Sequence, residues 1–231
     1  MKPTISVVVP CYNEKERILS VVSAIKKSSY SPEIIVVDDG SDASSKNILS
    51  QLTGIKLITH PKNLGKSQAL LSGLLASRGK IIVFVDSDLV NFTPDHLHRL
   101  IKPILDGYDM SIGDIRHKIL FFFQTSGYSA FCSGQRAFKK QILKKNLDTF
   151  SPSSYIDGLL VEIKMNQKYF GRKKIAKVLL DGVETSYKIS KAGISGLLND
   201  YRVMCRILKY LGPKEELRQL KFVRQLPYLS N

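Results

Sequence analysis

Apolar and polar positions alternate in blocks along the first hundred residues. The runs Ile5–Val9, Ile34–Val37, Ile55–Ile58 and Ile81–Val85 are short and rich in β-branched residues, which predicts buried strands. Between them the period lengthens. Ile18, Val22 and Ile25 fall on one helical face, and Ile48, Leu49 and Leu52 on another. Further helices are predicted from about Ser67 to Ser77 and from Asp95 to Asp106, the latter opened by Thr93 as N-cap and Pro94 in the first turn. Asn13 with Glu16 three residues later reads as a capping box for the first helix. Strand and helix alternating over short connections predict an α/β fold, a mostly parallel sheet covered on both faces.

After Met110-Ser111-Ile112-Gly113 the rhythm breaks. Residues 114–180 read as a second half containing an apolar patch (Ile119-Leu120-Phe121-Phe122-Phe123), the segment Ser133–Phe138, a helix near Asp157–Tyr169 and a strand near Ile175–Leu180. In the tail, Ile194, Leu197, Leu198, Tyr201, Cys205 and Leu208 recur at helical spacing, with Asn199, Arg202, Arg206 and Lys209 opposite. Pro213 ends that helix and a second one covers Glu215–Arg224. The expected organisation is one domain over residues 1–190, divided at 113/114, and a helical extension over 191–231.

Composition narrows the class. With 231 residues and 43% apolar content, the chain can bury one substantial core. Its apolar runs fall well short of the roughly 20 residues that span a bilayer, and the N-terminus enters a strand with no signal-peptide core. Cys11, Cys132 and Cys205 are odd in number and widely spaced, as expected of free thiols in a reducing, cytoplasmic compartment. The net charge of +15 favours anionic partners, and basic residues dominate from Lys164 onward. That excess also serves simply to solvate a surface. No nucleic-acid-binding motif accompanies it, so no nucleic acid partner is expected.

The candidate chemistry lies where strands stop. Ile81–Val85 ends at Asp86-Ser87-Asp88, whose two carboxylates point the same way on an extended chain. Converging there, they are unfavourable unless a positive charge lies between them, and a hard divalent cation is the simplest candidate. A solvated acidic loop is the alternative for this stretch alone. Pro10–Glu14, Asp38–Ser41 and Asn63–Lys66 also follow strands, however, and in parallel α/β sheets ligands bind beyond the carboxyl ends. Four polar clusters would therefore share one rim.

Val9-Pro10-Cys11-Tyr12-Asn13-Glu14, Val36-Val37-Asp38-Asp39-Gly40-Ser41, Asn63-Leu64-Gly65-Lys66 and Asp86-Ser87-Asp88, in this order and spacing, resemble the family-two glycosyltransferases of the GT-A fold. The resemblance is close over roughly the first 115 residues. Beyond them, Ser133-Gly134-Gln135-Arg136-Ala137-Phe138, Glu162 and Gly182-Val183-Glu184 with Lys188, Lys191 and Gly193 are similar to the branch of polyprenyl-phosphate sugar synthases and glucosyl-phosphoglycerate synthases.

The resemblance implies a role for each position. Pro10, Tyr12, Asn13 and Glu14 would line a nucleotide pocket, with the Tyr12 ring near the base. Asp38 or Asp39 would accept from a uracil imide or a guanine edge. Gly65 would let the backbone approach the nucleotide, and Lys66 would offer it a cation. Asp86 would hold the ribose or sugar and Asp88 the metal, Mg²⁺ or Mn²⁺, with Asp86 and Glu184 as further candidate metal ligands; Glu184 stands near where relatives carry a His. Arg136 would clamp an acceptor phosphate or the diphosphate.

The implied activity is metal-dependent sugar transfer from a UDP- or GDP-sugar, in cell-envelope glycan or glycolipid synthesis. Acceptor candidates are a polyprenyl phosphate, a small phosphorylated metabolite or a glycan hydroxyl. A hydroxyl acceptor needs a general base, and a phosphate does not. The Glu-Asp pair that many relatives carry at the acceptor-side helix is absent, which leaves Glu162 and Asp157 as base candidates, and whether configuration inverts or is retained stays open. The phenylalanine run and basic tail suit peripheral contact with the cytoplasmic face of a membrane and a lipid-phosphate acceptor, or else packing on the core or a homodimer interface. A sugar-nucleotide pyrophosphorylase would need a Gly-rich, Arg-containing loop after the first strand, and a dinucleotide-dependent dehydrogenase G-x-G-x-x-G; neither is present. A degenerate relative or a basic binding protein is the non-catalytic alternative, against which the intact Asp86 and Asp88 argue.

Overall fold

The structure, a computed structural model, describes residues 3–115, 128–151, 160–185 and 205–229. Its centre is a seven-stranded sheet in the order β3-β2-β1-β4-β7-β6-β8. The strands are β1 (Ile5–Cys11), β2 (Glu33–Asp38), β3 (Lys56–Thr59), β4 (Ile81–Phe84), β6 (Met110–Asp114), β7 (Arg136–Lys139) and β8 (Ile175–Leu179). All run in one direction except β7, which is antiparallel to both its neighbours, β4 and β6. A separate ribbon pairs β5 (Leu89–Val90) with β9 (Glu184–Thr185).

Strand alternation explains the continuous apolar runs. Val8, Ile35, Val37, Ile82 and Phe84 face one cluster, while Val7, Val9, Ile34, Val36 and Val83 face the other. Over the inner strands both faces are covered, so neither can be polar there; the edge strand β3, expected to be buried, is largely exposed, because it has a neighbour on one side only. The first face packs on α3 (Lys66–Ala76), the short helices α5 (Tyr128–Phe131) and α6 (Lys140–Lys144), and α7 (Leu160–Tyr169). The second packs on α1 (Arg17–Lys26), α2 (Ala43–Ser50) and α4 (Pro94–Leu105).

Helix starts divide into one expectation met and one corrected. At α4 the Thr93 side chain accepts from His96 N–H, the His96 ring reciprocates at the Thr93 N–H, and Pro94 occupies the first turn. The Asn13–Glu16 capping box does not form. Helix α1 begins at Arg17, with Glu16 as an N-cap that makes no side-chain bond. Asn13 instead takes a left-handed φ of 57°. Its N–H donates to Ser41 Oγ at 3.0 Å and its Oδ1 accepts from Asp42 N–H at 2.8 Å. Asn tolerates that conformation, and the turn after β2 competes successfully for its side chain.

Strand β7 is not legible in the hydrophobic pattern. Its four residues, Arg-Ala-Phe-Lys, begin and end with charges. It forms because β4 and β6 offer pairing edges on both sides.

The described part of the tail belongs to the core of the second half. Ile207, Val223 and Leu226 join the cluster that contains β6 and α7. On the last helix, α8 (Pro213–Gln225), Phe222 stacks on Phe170 with ring centroids 4.7 Å apart. Beyond α8 the chain runs along β8, with Lys177 N–H donating to Pro227 O at 2.9 Å and Leu229 N–H to Lys177 O at 3.0 Å. Tyr228 lies under the Lys177 ammonium, 4.3 Å from the ring centroid, and its hydroxyl bonds the Asp114 carboxylate. Ile119–Phe123 and the helical spacing from Ile194 to Tyr201 lie outside the described residues. No described helix is long and apolar enough to cross a membrane.

Replacing Tyr228 with Ala removes both the ring under a buried lysine and a hydroxyl donor to a buried carboxylate. It should lower unfolding stability by about 1–3 kcal/mol. An unchanged denaturant midpoint would show that this terminal segment does not hold the β8 edge.

Candidate active site

The polar clusters at the ends of β1, β2, β3 and β4 come together, and the loops that carry them are hydrogen-bonded to one another. Asp39 N–H donates to Cys11 O and His60 N–H to Asp38 O, each at 2.8 Å. The Asp39 carboxylate gathers the β3–α3 loop, accepting from His60 Nδ1 at 2.7 Å, Leu64 N–H at 3.0 Å and Gly65 N–H at 2.8 Å. His60 Nε2 in turn meets Ser72 Oγ on α3 at 2.9 Å. At Gly40, with φ of +74°, a Cβ would stand 2.3 Å from the Lys62 carbonyl carbon. Only glycine allows these two loops to touch there.

The two aspartates after β2 therefore differ. Both Asp39 oxygens are engaged by the loop. Asp38 accepts from Ser41 N–H at 2.9 Å through Oδ1, while its buried Oδ2 has no partner. Pro10 is buried within β1. The Tyr12 side chain stands open beside this floor, 47% exposed. Glu14 pairs with Arg17 at 3.0 Å.

At the centre of the rim lies Lys66, the first residue of α3. Its ammonium is 2.8 Å from Asp86 Oδ1 and 3.0 Å from Glu162 Oε1. Burial is the largest influence on that group and favours the neutral amine, but the two carboxylates outweigh it and hold the pKa above its ordinary value. Glu162, on α7, is buried, and its Oε2 has no hydrogen-bond partner. One cation thus links the end of β4 to α7.

The segment before β7 closes over this pair. A Cβ on Gly134 would sit 2.7 Å from both Asp86 Oδ2 and Lys66 Nζ. Gln135 Nε2 donates to Asp86 Oδ2 at 2.8 Å. Sequence reading assigns neither residue a role of its own, and nothing local in Ser-Gly-Gln signals it; the antiparallel β7 brings them there. Arg136 is placed differently from an anion clamp. It is buried, and its guanidinium donates to Ser133 O, Asn166 Oδ1 and Phe131 O at 2.8, 2.8 and 3.1 Å. Burial lowers its pKa to about 10, and the nearby Glu162 charge opposes that shift. A guanidinium with all three nitrogens bonded inside the protein presents no edge to an incoming phosphate.

Asp88 lies among like charges. Burial first, then the carboxylates of Asp86 and Glu14, raise its pKa to about 6. Such a concentration of negative oxygen suits a hard divalent cation, whose charge would relieve the repulsion. Among the described residues no three His, Cys, Asp or Glu side chains form a metal-binding group. Glu184 reaches the neighbourhood through the ribbon, paired with Val90 two residues beyond Asp88. Cys11, at the end of β1, is no nucleophile: burial pushes its thiol up to about 12. Asp157 lies outside the described residues, as do Lys188, Lys191 and Gly193.

Replacing Gly134 with Ala would force apart the Asp86–Lys66 pair without entering the main core. Ligand binding or turnover at this site should fall about tenfold or more, while unfolding stability changes by about 1 kcal/mol or less. Equal retention of both would show that the close approach of Gly134 is unimportant.

A sequence model described as "Glycosyl transferase family 2" matches residues 6–163, more than half of the chain. The undecaprenyl-phosphate 4-deoxy-4-formamido-L-arabinose transferase of Pseudomonas fluorescens (strain SBW25) is 32% identical over 123 residues, 48% of this chain and 36% of that protein. The glucosyl-3-phosphoglycerate synthase of Mycolicibacterium paratuberculosis (strain ATCC BAA-968 / K-10) is 38% identical over 113 residues, 45% of this chain and 34% of that protein. The matched segment thus spans about a third of these curated relatives. Among solved structures, glucosyl-3-phosphoglycerate synthase from Mycobacterium tuberculosis, in complex with Mn²⁺, UDP and glucosyl-3-phosphoglycerate, superposes with a TM-score of 0.67 at 26% identity, covering 90% of this chain and 80% of that one. The same enzyme with Mg²⁺ and UDP gives a TM-score of 0.66 at 26% identity, covering 90% and 79%. The mostly parallel sheet flanked by helices is the GT-A fold that these structures share, and the chain belongs to glycosyl transferase family 2.

Proposed function

We propose that this chain transfers a glycosyl group from a UDP-linked sugar to an acceptor that bears a phosphate. The observation that carries the reading is Lys66, an ammonium held between Asp86 on the donor rim and Glu162 on the acceptor-side helix. A leaving nucleoside diphosphate develops negative charge, and a preplaced cation stabilises it more than it stabilises the ground state. A UDP donor and a divalent cation are what the M. tuberculosis structural neighbour is solved with. Both kinds of curated relative named above act, by their names, on phosphate-bearing acceptors. The net charge of +15 suits two anionic substrates.

In this reading Tyr12, exposed at the rim, stacks on the base. The unpartnered Asp38 Oδ2 accepts the uracil imide proton, which would satisfy a buried oxygen that otherwise remains costly. Asp39 contributes by holding the His60–Gly65 loop, not by touching the nucleotide. Asp88 is the principal residue to hold Mg²⁺ or Mn²⁺, with Glu14 and Asp86 adding to the field and Glu184 nearby. When bound, the cation neutralises diphosphate oxygens and makes the nucleotide a better leaving group. Glu162 is buried behind Lys66, so its part is to keep the ammonium charged and in place. Where the acceptor's phosphate oxygen is itself the nucleophile, it already carries the negative charge and no base is needed; an acceptor attacking through a hydroxyl must pass that proton to a base.

A thermal-shift panel of UDP, GDP and dTDP, each with and without Mn²⁺, tests the donor. UDP with Mn²⁺ should give the largest stabilisation, and a larger shift with GDP would overturn the uridine assignment. In calorimetry Asp88→Asn should abolish the tightening of UDP binding by Mn²⁺ while leaving metal-free UDP affinity within about threefold. Undiminished Mn²⁺ dependence in that variant would place the metal elsewhere.

A further inference from the structure

We propose that Gln135 is a positioning residue for this reaction: its carboxamide commits Asp86 to Lys66 and keeps that carboxylate out of the metal's coordination. The inference rests on the reading of the rim as a metal- and UDP-binding site. Gln135 is 2% exposed. Its orientation is set by its surroundings. Ser133 Oγ accepts from the Gln135 main-chain N–H at 3.3 Å and donates to Gln135 Oε1 at 3.1 Å. The other end of the amide is therefore the NH₂, and it donates to Asp86 Oδ2 at 2.8 Å. The main chain is fixed as well, since Gln135 O accepts from Gly113 N–H on β6 at 2.8 Å.

Asp86 consequently has a donor on each oxygen, Lys66 on Oδ1 and Gln135 on Oδ2. A cation approaching Oδ2 would have to displace an amide whose hydrogens face the same lone pairs and repel positive charge. Gly134 packs so closely over Asp86 and Lys66 that the carboxylate has little room to turn away. Glutamate is nearly isosteric with glutamine, but there it would add a carboxylate beside Asp86 and draw Lys66 from its place. The neutral amide therefore separates the roles of two acidic residues one position apart, leaving Asp88 to the cation and Asp86 to the placement of Lys66.

The test measures Mn²⁺ binding by electron paramagnetic resonance at saturating UDP. It compares the unaltered chain with Asp86→Asn, Gln135→Met and the double variant. Asp86→Asn, which removes a neighbouring charge but no ligand, should weaken Mn²⁺ binding by no more than about fivefold. Gln135→Met, which frees Oδ2, should raise it about fivefold, and the double variant should lose that gain. A merely structural role for Gln135 would lower or leave unchanged the Mn²⁺ affinity and would show no such coupling. Loss of Mn²⁺ binding in Asp86→Asn, or an unchanged affinity in Gln135→Met, overturns the inference. If Gln135→Met does not fold, Asp86→Asn alone still decides whether that carboxylate ligates the ion. Failure of the unaltered chain to bind Mn²⁺ with UDP instead overturns the reading of the site, and is distinguished by occurring before any substitution is made.

Discussion

The ammonium of Lys66 between Asp86 and Glu162 is the interaction on which the rest of the site depends. The carboxylates come from segments far apart in the chain, one from the end of β4 and the other from α7. Neither tolerates burial without a counter-charge, because removing an ionised group from water costs several kcal/mol unless it is paired. Lys66 serves both, and the same contact joins the first half of the chain to the second. The buried Arg136 extends the alternation of charge beyond Glu162 and is itself held by main-chain carbonyls and Asn166. What resembles an anion clamp in the sequence is an internal brace in the fold.

The position of Lys66 is itself a product of the loops beneath it. Helix α3 begins at Lys66, and the loop leading into it is drawn against the end of β2 by the Asp39 carboxylate. His60 holds Asp39 from one side and Ser72 from the other, and Gly40 allows the loop backbone to come within contact distance. Asn13 gives up a helix cap to tie β1 to the same turn. These bonds preorganise the rim, so that a ligand bound there need not first order the chain, which lowers the entropic cost of binding.

The second half supplies what the strand ends of the first half lack. The antiparallel β7 enters between β4 and β6 and carries Ser133-Gly134-Gln135 directly over Asp86. The ribbon of β5 with β9 brings Glu184 alongside the chain leaving Asp88. The tail then packs Val223 and Leu226 into the core of this half and lays Tyr228 against Lys177 and Asp114. Not all of its apolar positions turn inward: Ile207 and Val223 are buried, while Cys205, Leu208 and Leu217, which the helical spacing groups as apolar, are exposed.

Period and punctuation alone determined the first half. β-branched runs of a strand's length, amphipathic stretches between them and polar clusters at each strand end suffice to predict a doubly covered sheet and a shared rim, because burial on both faces leaves no other arrangement for such runs. The Thr93-Pro94 helix start was equally legible, since a cap is a local interaction. Contacts between residues far apart in the chain were not. That Asp39 binds a loop while Asp38 keeps a buried oxygen without a partner, that Arg136 is internal, and that Gln135 and Gly134 sit on Asp86 all follow from which strand lies beside which. A strand of four residues with charged ends has no hydrophobic signature of its own; its neighbours in the sheet decide that it exists and what it carries to the site.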